Sequence, residues 1–570
     1  MEKILAGAAF ARSGRMSRFL RLAVEYALDG RGAELKEYPI AVEVFDRPAS
    51  FDPRADPIVR VEARRLRAKL RAYYEGEGRA DDVVIELPTG GYAPVFRERA
   101  AARPAPAVPA ATWRNTIAVL PFANLSAGGE NDYFSDGLTE ELIRQLTKVA
   151  GLRVVAWTSA AQLRGREDIR GVAEQLKVAH VLQGSVRRSG GRLRAAAQLL
   201  DAAEGCYLWA ETYDREMRDV FAIQDEIAWA IVKALRMRLA EPAAPVSHAA
   251  YNLEAYDLYL KGRFHWNLRT PEGLRKSIRC FEEAVARDAS FAPGYAGLAD
   301  AYGVLTEYGL VPSSEGMAKA SAAALQALER DPYLAEAHAS LGPIRSIYEW
   351  NWAEGERCYR RAIELNPGYA TAHHWLAVDL LALVGRWEEA ETEIEVARQL
   401  DPLSPIILEG VGFTALFARD YERALARYRE LLDLHPTFYK VYTAMGRAHA
   451  LMGRYDQAVM MFEKGRALGG EVPSILGALG QVYALAGRTE EARGLLAELA
   501  ALEQRGYVAA APFAVLHLGL GDHARALDWL ENGCEWHDLS IATIGVHPVY
   551  DPLRGEPRFQ ALLRRMGLGR

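Results

Sequence analysis

The stretch DPIVRVEARRLRAKLRAYY, Asp56 to Tyr74, carries six basic side chains against two acids. At helical spacing Arg60, Arg64, Arg67 and Arg71 form one stripe, at i, i+4, i+7 and i+11, while Arg65 and Lys69 lie on the far side. Val61, Ala68 and Ala72 leave a shallow surface between the two basic groups. A helix face that merely meets solvent usually interleaves both signs of charge, and this one hardly does. What such a face can do is bind a polyanion. A guanidinium fork matches a phosphate or the N7 and O6 edge of guanine, and a small apolar residue between forks can meet a thymine methyl.

Other chemistry finds little support. His373 and His374 are adjacent rather than four apart, so one helix face does not offer both to a metal. Cys534 and His537 have no second pair nearby. The loop SAGGEND (126–132) is glycine-rich but lacks the GK[ST] ending of a phosphate loop and reads as a connection. No GxSxG, HExxH or kinase signature occurs. Glu140 and Glu141 suit the negative charge favoured at a helix start better than a catalytic dyad. No catalytic, cofactor-binding or metal-binding residue is therefore assigned.

The basic helix needs elements to hold it. Asp56-Pro57 supplies a cap and a first helical residue. Val59, Ala63, Leu66, Leu70 and Tyr73 give it an apolar face. Upstream, SRFLRLAVEYALDG places Phe19, Leu20, Leu22, Ala23, Ala27 and Leu28 at helical spacing before a glycine stop. KEYPIAVEVFDR predicts a second, short helix, and SFDPRADP a turn. Downstream, VVIELPTGGYAPVF alternates, breaks at Pro-Thr-Gly-Gly and alternates again, which predicts a hairpin. Helix, short helix, basic helix and hairpin is the order of a winged helix-turn-helix.

These residues carry a family resemblance over about residues 15–97. VRVEARRLRAKL resembles the recognition helix of OmpR/PhoB-type winged-helix regulators, KEYPIAVEVFDR their positioning helix, and IELPTGGYAPVF their wing. Two departures stand out: the family's N-terminal sheet is not evident before Arg15, and no phosphoacceptor receiver domain is present. The resemblance implies duplex DNA as partner. Arg60, Val61 and Arg64 would reach base edges, with Arg65 beside them. Arg67, Lys69 and Arg71 would hold phosphates, joined by Lys36, Tyr38 and the wing residues Thr89, Gly90 and Tyr92. Tyr92 could equally serve the core of the hairpin.

The rest of the 570 residues bounds this reading. Half are hydrophobic and a quarter charged, and the formal net charge is −6, so any affinity for nucleic acid must be local. Residues 1–100 hold 18 basic against 16 acidic side chains, leaving the remainder acidic. Cys206, Cys280, Cys358 and Cys534 are isolated, which suits a reducing compartment. No window approaches a membrane span, and MEKILAGAAFARSG lacks the apolar core of a signal peptide, so the expected location is the cytoplasm.

The fold class expected is multidomain, with α and α/β parts. Residues 1–98 form the winged helix-turn-helix and 99–113 an Ala/Pro linker. Residues 114–241 form an α/β domain with a mixed sheet: TIAVLPF (116–122) is its first strand, and a helix capped by Ser135 or Asp136 follows. From Tyr251, Asp331-Pro332, Asn366-Pro367, Asp401-Pro402 and His435-Pro436 recur about 34–35 residues apart. Small residues at Gly342, Ala377, Ala390, Ala424, Gly446 and Ala458 let paired helices approach. That is the tetratricopeptide pattern, with about eight helix pairs over 251–537, an open concave groove for a protein or peptide, and a capping segment over 538–570.

IAVLPFANLS, DYFSDGLTEELIRQL, VLQGSVRRSGGRLRAAAQLLDA and LWAETYDR resemble the TolB N-terminal-like (FlgO-related) domain. The whole is similar to one-component regulators of the CadC sort, with an Ala/Pro linker where those often carry a membrane helix. The expected function is DNA-binding transcriptional regulation, with paired half-sites favouring a homodimer. Two other classes compete: a tetratricopeptide scaffold whose basic helix docks an acidic protein, and a cyclase-like enzyme, for which no metal-binding carboxylate pair is visible.

Overall fold

The computed structural model describes residues 2–569 apart from 7–9, 11–12, 30, 33–34, 49–50, 52–55, 57, 76–77, 79–80, 82, 89–91, 99–114, 127–130, 150, 190 and 236–251. The chain divides into two compact units, Met1–Ala110 and Ala111–Arg570. The Ala/Pro linker expected over 99–113 lies outside the described residues.

The first unit contains helices α1 (Glu2–Ala6), α2 (Gly14–Leu28), α3 (Glu37–Phe45) and α4 (Ile58–Glu75), then strands β1 (Val83–Glu86) and β2 (Val95–Glu98). Phe19, Leu20 and Ala23 of α2 meet Ile40, Ala41 and Val44 of α3 in one core. Val59, Ala63, Leu66, Leu70 and Tyr73 of α4 complete it, so the apolar face of the basic helix is buried as its spacing requires. Asp56 caps α4: its Oδ1 accepts the amide of Ile58 at 3.0 Å. β1 and β2 pair antiparallel, Glu86 opposite Val95, and the Tyr74 hydroxyl accepts the amide of Ile85 (2.8 Å), tying hairpin to helix. Leu28, expected on the apolar face of α2, is 71% exposed because α2 ends there.

The second unit opens with an α/β domain. Its elements are β3 (Thr116–Val119), β4 (Ala123–Asn124), α5 (Asp132–Leu146), β5 (Arg153–Val154), α6 (Trp157–Ala161), α7 (Ile169–Leu176), β6 (His180–Ser189), β7 (Arg192–Asp201), β8 (Cys206–Glu216) and α8 (Val220–Ala234). The sheet is mixed, in the order β5-β3-β6-β7-β8, with β4 also on β6. β3 runs parallel to β5 and β6, while β6, β7 and β8 are antiparallel. Two expectations are corrected. The strand expected over 116–122 stops at Val119 and resumes at Ala123, because Pro121 has no amide for the ladder. The helix expected to begin at Ser135 or Asp136 begins at Asp132, with both residues buried within its second turn. Asn124 reaches Asp132 (2.8 Å) and holds the earlier start.

Helices then follow in pairs: α9 (Leu253–Asn267) with α10 (Pro271–Arg287), and α11 (Ala292–Glu307) with α12 (Ser313–Arg330). Next come α13 (Ala335–Pro343) with α14 (Trp352–Leu365), and α15 (Ala370–Leu376) with α16 (Trp387–Leu400). α17 (Pro405–Phe417) pairs with α18 (Tyr421–Leu434), and α19 (Tyr439–Leu451) with α20 (Tyr455–Gly469). α21 (Pro473–Leu485) with α22 (Thr489–Arg505), and α23 (Ala510–Gly519) with α24 (His523–Glu535), bring the described pairs to eight. Close approach rests on small residues facing rings: a Cβ added to Gly342 would land on Tyr359, and one added to Gly412 on Tyr428. After α13 and α15 the chain widens into π turns, Ile344–Tyr348 and Ala377–Leu381.

Both ends of this array are covered. At the first pair, α5 lies on α9 so closely that a Cβ on Gly137 would sit 2.6 Å from Leu260. At the other end α25 (Pro557–Arg565) packs on the last pair, but its segment does more than cap. The Trp352 indole donates to the Met566 carbonyl (2.7 Å), His537 stacks on Trp350 at 4.2 Å, and Arg419 pairs with Asp551 (2.7 Å). The final residues thus tie the last pair to the third and fifth.

The α/β domain is also bolted to turns deep in the array. Ser159 donates to the Asp401 carboxylate, Gln162 to the Leu403 carbonyl (2.9 Å), and Asn366 to Thr147 Oγ1 (3.1 Å). Burial pushes the Asp401 carboxyl up from 3.8 to about 6, against the Ser159 hydrogen bond that lowers it. An acid harder to ionise folded than unfolded contributes stability below about pH 4 that is lost as pH rises through about 6. Asp401→Asn, which cannot ionise, should therefore gain stability relative to the parent as pH rises from about 4 to about 7. Urea unfolding of both proteins across that range checks it, and parallel pH profiles would show that Asp401 does not titrate as its burial implies.

Candidate functional site

Above its buried face, α4 presents Arg60, Val61 and Arg65 to solvent, with Val61 46% exposed. Lys36 and Tyr38, at the start of α3, are exposed as well. The surface proposed from sequence to read bases is therefore accessible at the N-terminal half of α4. The side chains of Arg64 and Arg71, and the residues Thr89 and Gly90, lie outside the described residues.

Not every basic side chain points outward. Arg67 donates to the carbonyls of Leu87 (3.0 Å) and Pro88 (2.8 Å), where the hairpin loop leaves β1. It locks the loop to α4 through two charge-assisted bonds. Arg65 pairs with Glu62 one turn back (2.7 Å), an exposed pair of small energetic value. The Lys69 ammonium lies 5.7 Å from the centre of the Phe10 ring.

Glu37, which the sequence did not single out, is the node of this surface. Its carboxylate accepts from the Tyr92 hydroxyl (3.0 Å) and lies 3.5 Å from the Arg60 guanidinium. One acid in the first turn of α3 thus joins α4 to the segment entering β2. Burial, reinforced by Glu37, pushes the Tyr92 phenol up to about 12. Tyr92 is half-buried, its ring packed against the core and its hydroxyl in this node. No local pattern could have paired residues 55 apart; only the hairpin fold brings them together.

The second unit contains a different candidate. The concave surface of the helical array is also met by the α/β domain. Residues of α5 and α6 line one side of a wide, open-sided cavity of about 1400 Å³. Glu140 of α5 accepts from Arg263 (3.0 Å) and Asn267 (3.2 Å) of α9 at its rim. The two adjacent histidines part company here: His373 is held by Glu393 (2.6 Å) and the Pro367 carbonyl (3.1 Å), whereas His374 faces the cavity. Among the described residues no group of three or more His, Cys, Asp or Glu is arranged to hold a metal, and no helix is long and apolar enough to cross a membrane.

With this geometry in hand, comparison with known proteins adds two families. A model for the second domain of HilA/YgeH-like transcriptional regulators matches residues 113–229, and a tetratricopeptide repeat model matches 439–465. The chain is 46% identical over 166 residues to putative adenylate cyclase 3 of Rhizobium meliloti (strain 1021), covering 29% of this chain and 28% of that one. It is 24% identical over 314 residues to the transcriptional regulator HilA of Salmonella paratyphi A, covering 55% and 54%. The chain thus spans about half or less of the length of these curated relatives. Among solved structures, Pseudomonas aeruginosa pilF is similar at 23% identity and a TM-score of 0.29, covering 37% of this chain and 93% of that one. The human IFIT1 dimer with m7Gppp-AAAA is similar at 14% identity and a TM-score of 0.40, covering 56% and 80%. The chain carries a HilA-like regulator domain followed by tetratricopeptide repeats.

The node and the lock make separable predictions. Glu37→Gln should lower the Tyr92 phenol from about 12 toward its ordinary 10, read by NMR titration of labelled tyrosine rings. Arg67→Ala should cost roughly 1 kcal/mol locally and speed amide exchange in β1 and β2, since two hydrogen bonds to carbonyls, one part-buried and one exposed, are lost. Unchanged exchange there would mean that the hairpin does not depend on Arg67.

Proposed function

We propose that the protein is a one-component transcriptional regulator whose first unit is an OmpR/PhoB-type winged helix that binds duplex DNA. The observation that carries this reading is the division of α4, with one face wholly buried and Arg60, Val61 and Arg65 exposed beside a hairpin. The HilA-like match at residues 113–229 supports it, because the relative of that name is a transcriptional regulator. The middle domain is proposed to be of the TolB N-terminal-like kind. It and the helical array would receive a signal or a protein or peptide partner. The proposed location is the cytoplasm, and two chains on paired half-sites is the arrangement this reading expects.

Within it, Arg60, Val61 and Arg64 reach base edges, while Lys69 and Arg71 hold phosphates with Lys36, Tyr38, Thr89 and Gly90. Arg67 and Tyr92 contribute mainly by fixing the hairpin and the Arg60 side chain. Competition with DNA would draw Arg60 off Glu37, a swap between two anionic partners that costs little desolvation.

The experiment is selection of bound duplexes from a random pool by the full chain, followed by titration of variants on the selected site. Arg64→Ala is expected to lose roughly 1–3 kcal/mol there and relax preference at one base pair. Lys69→Ala is expected to weaken all duplexes alike and reduce the salt slope by about one. Parent-like binding by both variants would sink the assignment of α4. A full chain that binds no duplex would favour the scaffold reading, which the repeat array alone supports.

A further inference from the structure

The cavity between α5–α6 and the helical array is built unlike an empty joint. Of the five cations that line it, three are Arg269, Lys440 and Arg447. Among the described residues none of their charged heads has a carboxylate within 4.0 Å or a hydrogen bond. By contrast, Arg164 and Arg505 at the same cavity are paired with Asp136 and Glu471 (3.3 Å). The Arg269 guanidinium lies 3.5 Å from the centre of the Trp266 ring, and the Lys440 ammonium 4.5 Å from that of Tyr308. Stacking of this kind orients a cation while leaving its donors free for an anion.

The surroundings decide the sign of the ligand. His374 stands among these groups and is pushed down to about 3 by burial, and further by Arg269 and Lys440, so it stays neutral and able to share a hydrogen bond. Of the acids on this wall, Asp136 pairs with Arg164, Glu471 with Arg505, Glu140 with Arg263 and Asp401 with Ser159, which leaves Glu307, Asp379 and Glu409. Burial raises the carboxyls of Asp379 and Glu409 toward their neutral forms, against Lys440 and Arg447 in the case of Glu409. The remaining wall is largely apolar, with Trp375, Phe413 and Phe438 among aliphatic side chains. A volume of about 1400 Å³ admits a small molecule with its water.

We propose that this cavity is a binding site for an organic anion with an aromatic or apolar body, its charged group held by Arg269, Lys440 and Arg447. The ligand bridges α19 to the turn after α9, and so spans the space that α5 and α6 line on one side. This assignment stands apart from DNA binding: it names the chemistry of a signal, not of an operator.

The test uses 8-anilinonaphthalene-1-sulfonate, an aromatic sulfonate, titrated into the full chain by fluorescence. N-phenyl-1-naphthylamine, which has a similar body and no charge, is the comparison probe. The parent is expected to bind the sulfonate at one saturable site. Lys440→Met with Arg447→Met should weaken it about tenfold or more, as loss of one charge-assisted contact implies, while the neutral probe is unaffected. Circular dichroism and the urea midpoint confirm folding; should that variant not fold, Arg269→Met, on a different element, is expected to give the same loss. Undiminished sulfonate binding in the folded variant, an equal loss for the neutral probe, or no saturable binding by the parent would each overturn the proposal. Duplex titration of the same variant is expected to match the parent, which keeps this outcome distinct from failure of the DNA reading.

Discussion

A tetratricopeptide array buries its core only between neighbouring pairs, so every part of this second unit depends on what covers the two ends and the inner face. Here the first end is met by α5, whose Gly137 permits backbone-close contact with Leu260. The last end is met by α25, whose segment turns back to Trp350 and Trp352. The inner face is partly met by α5 and α6. The Ser159–Asp401 and Thr147–Asn366 bonds fasten that cover to the Asp-Pro and Asn-Pro turns which mark the repeat. The residues that punctuate the sequence thus have a second use as anchoring points. A buried carboxylate at such a turn costs stability when charged and unpaired, and the Ser159 hydroxyl offsets part of that.

The repeat, the apolar face of α4 and the hairpin after it were legible because each is written in residues a few positions apart. Val59, Ala63, Leu66 and Leu70 announce their burial by spacing alone, and Gly342 and Ala390 announce the close packing of paired helices. What could not be read is whatever joins distant positions. Ser159 and Asp401 are 242 residues apart, Tyr133 and Asp257 124 apart, and neither pair belongs to a periodic pattern. That α5 and α6 line part of the groove could not be read for the same reason: periodicity describes the array, and nothing local tells which other element meets it. The start of α5 was misjudged on a smaller scale, since Ser135 and Asp136 are good capping residues. An Asn124–Asp132 bond from the neighbouring strand moved the start a turn earlier.

The basic helix shows why charge counts mislead. Arg67 is committed to the carbonyls of Leu87 and Pro88, Arg65 is met by Glu62, and Arg60 lies against Glu37. Glu62 and Glu37 offset part of the positive charge of α4, while the carbonyls fix Arg67 without neutralising it. Glu37 is itself structural, since it also accepts the Tyr92 hydroxyl.

This arrangement sets what kind of recognition α4 can support. Residues 1–100 carry only a slight excess of positive charge and the rest of the chain is acidic, so long-range attraction to a polyanion is weak. Counterion release from a few lysine and arginine contacts would supply modest, salt-sensitive affinity for any duplex. Discrimination must then come from short-range contacts whose geometry is fixed beforehand. The Arg67 lock would provide such fixing for the hairpin, while Glu37 holds Arg60 only until a competing anion displaces it. If α4 binds duplex DNA as proposed, a helix with the same arginines and no Glu37 would attract it more strongly.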